Sequence, residues 1–140
     1  MKILVAADGS AFTKRMLAYL AAHDEWLGAH HQYTVVHVVR ELPSRAAAAL
    51  EKDIVQDYYA DEAEKVFKPI RTFFAKQGLA AEFTAKVGHA GEHIAALADK
   101  GGFDLLVMGS HGHGALAGLV LGSIITQVLS RCETPVLIVR

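Results

Sequence analysis

A single cysteine, Cys132, stands in the 140 residues, so no internal disulfide framework exists and a reducing, cytoplasmic setting is expected. Prolines number only three, at 43, 69 and 135, and no Pro-rich or low-complexity tract divides the chain into parts. A basic surplus is also missing. Lys plus Arg is 14 against 15 Asp plus Glu, a net charge of −1, with no block of like charges. Neutralising a row of phosphates needs such a surplus, so non-specific nucleic-acid binding is excluded. From Leu105 to Ser130 there is no charged residue, and Gly114, Gly118 and Gly122 stand four apart, as in a membrane helix-packing stripe. That segment nevertheless holds Ser110, His111, His113, Ser123, Thr126 and Gln127. Its most apolar part, Ala115 to Leu129, falls short of the roughly 20 residues a bilayer span requires, so no membrane segment is expected. Met1-Lys2 followed by five apolar residues before Asp8 is likewise too short for a secretory signal.

What is present is a core. Hydrophobic residues make up 52% of the chain, enough to fill one domain over residues 1–140. Lys2 to Ala7 is an apolar run ended by Asp8-Gly9-Ser10, the pattern of a buried strand, a turn and a helix start. Phe12, Met16, Leu17, Leu20 and Leu27 then recur at helical intervals up to Gly28. A second buried strand is expected over Tyr33–Val39, followed by a connection from Arg40 to Ala49 with a turn signal at Pro43-Ser44. The helical pattern from about Leu50 to Gln77 contains Pro69, which predicts a kink or a restart. Phe83 to Val87 alternates like a half-exposed strand, Glu92 to Lys100 is a short helix, and Phe103 to Met108 is again a buried run. A glycine-rich loop from Gly109, a helix from about Ser123 to Cys132 and a last strand Pro135–Val139 complete a β-α-β-α-β-α-β-α-β order. Such alternation implies right-handed crossovers and a five-stranded, mostly parallel sheet covered on both faces.

In open sheets of this type ligands lodge outside the carboxyl ends of the strands, where the winding direction reverses. For the order 3-2-1-4-5 that point lies between strands one and four. The two turns brought together there, Asp8 to Phe12 and Gly109 to Gly122, are the most glycine- and hydroxyl-marked in the chain. Gly109-Ser-His-Gly112-His-Gly114, followed by Gly122-Ser123 at a helix start, suits a phosphate chain. Glycines allow close backbone approach, and unpaired N–H groups at a helix N-terminus attract anions. Ser123 could cap that helix and donate to a phosphate, while the bland reading of the same glycines is tight turns and helix packing. Neither Gly-x4-Gly-Lys-Ser/Thr nor Gly-x-Gly-x-x-Gly occurs, which disfavours P-loop chemistry and hydride transfer. Asp8 beside polyphosphate would be repelled, so it is expected on the sugar and base side.

Gly109-x2-Gly112-x9-Gly122-Ser123 together with Asp8-Gly9-Ser10 resembles the universal stress protein family, in its ATP-binding branch. The likeness runs through His37-Val38, Gly88 and the closing Thr134-Pro135-Val136-Leu137-Ile138-Val139. It implies a three-layer α/β sandwich, flavodoxin-like and similar to the adenine nucleotide α-hydrolases, with strand order 3-2-1-4-5. It also implies binding of ATP, with Mg2+ as the ion the phosphates can carry, and a tendency to form homodimers. By position, Asp8 would contact the adenosine part and Val38 would hold adenine through its backbone. Met108, Gly109, Gly112, Gly122 and Ser123 would line the ribose and phosphates, with Ala7, Ser10, His111, His113 and Ile124 completing the candidate set. Thr13 also matches the family. One position departs: many relatives carry Arg or Lys just after the second glycine, where this chain has His113. If His111 or His113 reached the phosphates, affinity would rise as pH falls through the imidazole range.

No catalytic residue is assigned. His89-x3-His93 and His111-x-His113 have spacings that metal ligands use, but no third Cys or acidic ligand stands nearby in sequence, and no metal site is assigned. Cys132 reads as a small buried hydrophobe, and Tyr58-Tyr59 and Phe73-Phe74 as core packing. The last strand, apolar and entered through Pro135, is expected at a sheet edge open to pairing with a second copy over residues 136–139. The expected function is an adenine-nucleotide-dependent stress-response sensor or partner-binding module. The alternatives are a small enzyme with slow ATP hydrolysis or phosphotransfer, and a nucleotide-free dimeric scaffold.

Overall fold

A computed structural model describes residues 1–114 and 118–140. Positions 115–117, at the head of the apolar run and inside the expected loop, lie outside the described residues. The elements are β1 (Lys2–Ala6), α1 (Ala11–Ala22), α2 (Asp24–Leu27), β2 (Gln32–Val39), α3 (Ser44–Ala48), α4 (Lys52–Lys76), β3 (Ala81–Val87), α5 (Ala90–Lys100), β4 (Leu105–Gly109), α6 (Ser123–Arg131) and β5 (Val136–Val139). All five strands are parallel, in the order β3-β2-β1-β4-β5.

Alternation along β1 explains why its sequence is apolar throughout. Ile3 and Val5 point into one core with Met16 and Leu20 of α1 and Phe67, Ile70 and Phe74 of α4. Leu4 and Ala6 point into a second core with Ile94 and Ala98 of α5 and Ile125 and Val128 of α6. A central strand covered on both faces has no solvent side for polar residues. Each large side chain so buried is worth on the order of 1.5–3 kcal/mol. The winding reverses between β1, which runs beside β2 from Lys2↔Gln32 to Ala6↔Val36, and β4, paired with β1 from Ile3↔Leu105 to Ala6↔Met108. Ser110 then continues the β4 line, its amide donating to the Val139 carbonyl of β5 at 2.8 Å.

Four expectations are corrected. The single helix expected as far as Leu27 breaks at His23, whose φ of −126° and ψ of 46° leave the helical region. Asp24 and Glu25 follow in the first turn of α2, where negative charge suits a new N-terminus. The Arg40–Ala49 connection contains the one-turn helix α3, entered from Pro43, and the Leu42 amide donates to the Tyr59 hydroxyl at 3.0 Å. Pro69 does not restart α4, which runs unbroken over 25 residues. Its exposed side leaves the freed Lys65 carbonyl to water, while Phe67 and Ile70, both buried, hold the helix on the sheet. Finally, Gly122 and not Ser123 is the N-cap of α6, and Ser123 is the first helical residue with no side-chain cap bond.

Candidate functional site

Above the carboxyl ends of β1 and β4 lies a cavity of about 250 Å3. Every candidate from the sequence lines it except Ser10. Ser10 is buried at the start of α1, and its hydroxyl has no hydrogen-bond partner. Thr13, one turn further along α1, lines the crevice instead. His37 and Gly114, noted like Thr13 in the sequence motifs, also line it, and the residues that sequence reasoning passed over are Ala90 and Ile94 of α5, Ile125 of α6, Ala6 and Leu119. For α5 the available signal was the apolar pair opening a helix that follows Gly88.

The apolar end is built by Val38, Ala90, Ile94, Met108 and Ile125. Val38 has a special position there. The Ala7 amide donates to the Val36 carbonyl, so Val36 faces β1, whereas the Gly88 amide donates to the Val39 carbonyl, which faces β3. Since ladder bonding alternates residue by residue in a parallel strand, Val38 directs both its N–H and its C=O to the β1 side. The β1 register has ended by then, at Ala6↔Val36. A donor and an acceptor of the main chain therefore open on the crevice beside an apolar wall. His37 is fixed alongside by its Nδ1–H, which donates to the Ala7 carbonyl at 2.8 Å, and by an edge-on contact with Phe67.

The polar end is built by the turn after β1 and the glycine-rich segment. Asp8 Oδ1 accepts from the Ser10 amide at 2.9 Å and the Thr13 hydroxyl at 3.0 Å, and Oδ2 accepts from the His113 amide at 3.2 Å. Burial pushes the Asp8 carboxyl up. The hydrogen bonds from Ser10 and Thr13 and the neighbouring His113 outweigh it and hold the group below its ordinary value. It is a carboxylate at neutral pH. A side chain at Gly112 is impossible without movement, because its Cβ would lie 2.5 Å from Asp8 Oδ2. Gly122 meets a similar limit, its Cβ standing 3.1 Å from His111 Cα and 3.3 Å from the Ser110 carbonyl oxygen. The Thr126 amide is the first to bond within α6, to Gly122 at 3.2 Å. The amides of Ser123, Ile124 and Ile125 precede it, and all three residues line the crevice. No Lys or Arg is among the lining residues described.

Each loop histidine commits its Nε2–H to a main-chain carbonyl. His113 Nε2 donates to the Asp8 carbonyl at 2.7 Å, and His111 Nε2 donates to the Leu119 carbonyl at 2.9 Å. Among the described residues no group of three or more His, Cys, Asp or Glu side chains is placed to hold a metal ion. No helix among them is long and apolar enough to cross a membrane.

Known proteins share this fold. A universal stress protein of Thermus aquaticus is 33% identical over 141 residues, covering 99% of this chain and 97% of that protein. Universal stress protein Slr1230 of Synechocystis is 34% identical over 141 residues, covering 99% of this chain but 42% of its own length, so the chain spans less than half of that relative. The solved structure of protein MJ0577, of Methanocaldococcus jannaschii, superposes with a TM-score of 0.81 at 27% identity, covering 99% of this chain and 94% of that one. Two structures with the same fold at lower identity are an Arabidopsis thaliana family member with AMP bound (14%, TM-score 0.69) and an Archaeoglobus fulgidus one in complex with dAMP (20%, TM-score 0.61). The profile of the Universal stress protein family matches residues 1–140, and the chain belongs to that family.

Proposed function

We propose that the crevice binds an adenine nucleotide, ATP with Mg2+ being its fullest form, and that the protein acts as a nucleotide-dependent stress-response sensor or partner-binding module in the cytoplasm. One observation carries the reading: the apolar end, with the open N–H and C=O of Val38, is continuous with the first-turn amides of α6. The first arrangement complements the adenine edge, where ring N1 accepts and the N6 amino group donates. The second complements phosphate oxygens. In this assignment Ala7 and Met108 flank the base and ribose, and Asp8 takes the ribose side. Gly109, Gly112, Gly122, Ser123 and Ile124 supply close backbone approach and amides to the phosphates. The AMP and dAMP complexes of the two family members support the ligand class.

Binding without a lining Lys or Arg leaves the charge of the phosphates to main-chain dipoles and an accompanying Mg2+. Such a site holds a nucleotide without driving its turnover, which suits a sensor. The same proposal includes a homodimer paired through β5. The test is chromatography of whatever the purified protein releases on denaturation, with a melting-temperature titration against Mg-ATP. Release of an adenine nucleotide or a concentration-dependent rise is expected. Empty protein with an unchanged melting temperature at millimolar ATP would leave the scaffold reading.

A further inference from the structure

His111 spends both ring nitrogens on its own loop. Nε2 is 2.9 Å from the Leu119 carbonyl, eight residues on, and Nδ1 is 3.0 Å from Ser110 Oγ. A carbonyl can only accept, so the hydrogen-bond partners assign the proton to Nε2; in the neutral ring the Ser110 hydroxyl then donates to Nδ1. The flank of the ring is taken as well. Phe12 of α1 packs on it at 5.0 Å between centroids, and the Arg15 guanidinium lies 4.9 Å from the Phe12 ring centre. Around this side chain the Gly122 amide donates to the Ser110 carbonyl at 2.7 Å, and the His113 amide donates to Asp8 Oδ2 at 3.2 Å. The imidazole thus ties the residue that follows β4, Ser110, to Leu119, four residues before α6. Approaching a phosphate oxygen would break one of its two bonds.

We infer that His111 is a clasp within the glycine-rich segment: a positioning residue that ties Ser110 to Leu119 and holds the nearby His113 and Gly122 amides in the arrangement the crevice presents, without bonding the phosphates. Only its effect on affinity rests on the nucleotide reading; the bonds of the clasp do not.

Three substitutions test it in nucleotide-free protein. The amide nitrogen of Gln reaches about as far as Nε2, and that of Asn about as far as Nδ1. Amide hydrogen exchange is read at His113 and Gly122, with Leu106 and Val107 as controls for the fold. His111→Ala and His111→Asn are expected to speed exchange at the two loop amides about three- to tenfold, the change that goes with one net hydrogen bond, while His111→Gln stays near wild type. In wild type the 15N spectrum should show Nε2 protonated at neutral pH. Unchanged exchange in the Ala and Asn variants, or a neutral ring protonated at Nδ1, overturns the clasp. Calorimetry with Mg-ATP forms a second arm, in which affinity should follow loop protection: kept in Gln, lost in Ala and Asn. A Gln variant that keeps loop protection but loses affinity would make His111 a ligand and overturn the inference. Should wild type bind no ATP, the nucleotide reading fails alone, and the exchange rates still decide the clasp.

Discussion

His113 and Asp8 hold each other across the mouth of the crevice. The His113 Nε2–H donates to the Asp8 carbonyl at 2.7 Å while the His113 main-chain amide donates to Asp8 Oδ2 at 3.2 Å. The side chain standing where the family resemblance implies Arg or Lys is therefore engaged with the end of β1.

His113→Ala should accordingly leave ATP affinity at pH 7 within about threefold of wild type, less than the worth of a full hydrogen bond to a charged group. The pH profiles of the two proteins between pH 6 and 8 should coincide. This departs from the condition considered in the sequence, that His111 or His113 reaches the phosphates. A tenfold loss in the variant, or a pH step in wild type alone, would reinstate it. Isothermal calorimetry distinguishes the two outcomes.

Gly112→Ala has a stronger consequence. The new methyl would stand 2.5 Å from Asp8 Oδ2, so either the carboxylate or the loop must shift. Relief of a packed clash of this kind costs about 1–3 kcal/mol. ATP affinity is expected to fall about tenfold or more, and the melting temperature of the empty protein to fall as well, since the clash does not depend on nucleotide. A variant that binds ATP as wild type does would show that the loop leaves Asp8 when nucleotide enters.

Selectivity should follow from Val38. Its outward N–H and C=O match adenine, whereas guanine presents a donor at N1 and an acceptor at O6, the opposite pattern. Two mismatched polar groups facing each other cost about 1–3 kcal/mol each when desolvated. Mg-GTP should therefore raise the melting temperature much less than Mg-ATP at equal concentration. Equal rises would mean that the base is not read by this strand end.

The pattern of what was legible in the sequence follows from the range of the interactions involved. Ile3-Leu4-Val5 and Leu106-Val107 announce central strands because burial on both faces removes every polar position, a local signal. Asp8-Gly9 and Gly109 to Gly112 mark the crevice because tight turns and close backbone approach need those residue types. The unbroken α4 through Pro69 is decided by the packing of Phe67 and Ile70 on the sheet, which outweighs local propensity. The partners of His111 and His113 were hidden for another reason. The Asp8–His113 contact joins positions 105 apart, and an imidazole's role depends on which atom lies opposite it, which spacing in the chain does not encode.

Asp99 gives a pH prediction away from the crevice. Its carboxylate accepts from the Thr134 hydroxyl at 2.7 Å, the Thr134 amide at 3.0 Å and the Glu133 amide at 3.2 Å, tying α5 to the turn before β5. The Thr134 side chain first, then the Glu133 amide, hold this carboxyl down to about 2 against an ordinary 3.8. A folded-state value below the unfolded one means that the stabilisation is fully present above pH 4 and is lost as pH falls toward 2. The melting temperature of Asp99→Asn should lie below wild type at pH 6, with the gap closing between pH 4 and pH 2. A gap that stays constant over that range would assign the effect to shape and not to charge.

The last prediction concerns the sheet edge. The Leu106 amide donates to the Pro135 carbonyl and the Ser110 amide to the Val139 carbonyl, so residues 135, 137 and 139 face β4. Val136 and Ile138 must then direct their N–H and C=O groups outward, away from the sheet. These are the groups through which a second copy would pair antiparallel across a twofold axis. Ile138→Pro deletes one outward N–H, and with it a bond on each side of the axis, while every β4–β5 bond is retained. Proline's fixed φ is compatible with an edge strand. Sedimentation at micromolar concentration should find wild type dimeric and Ile138→Pro shifted to monomer, with far-ultraviolet circular dichroism unchanged. A wild-type monomer refutes the pairing outright. A variant that remains dimeric while keeping its fold moves the interface off β5, because a dimer held by this edge cannot lose its central bonds and keep its affinity.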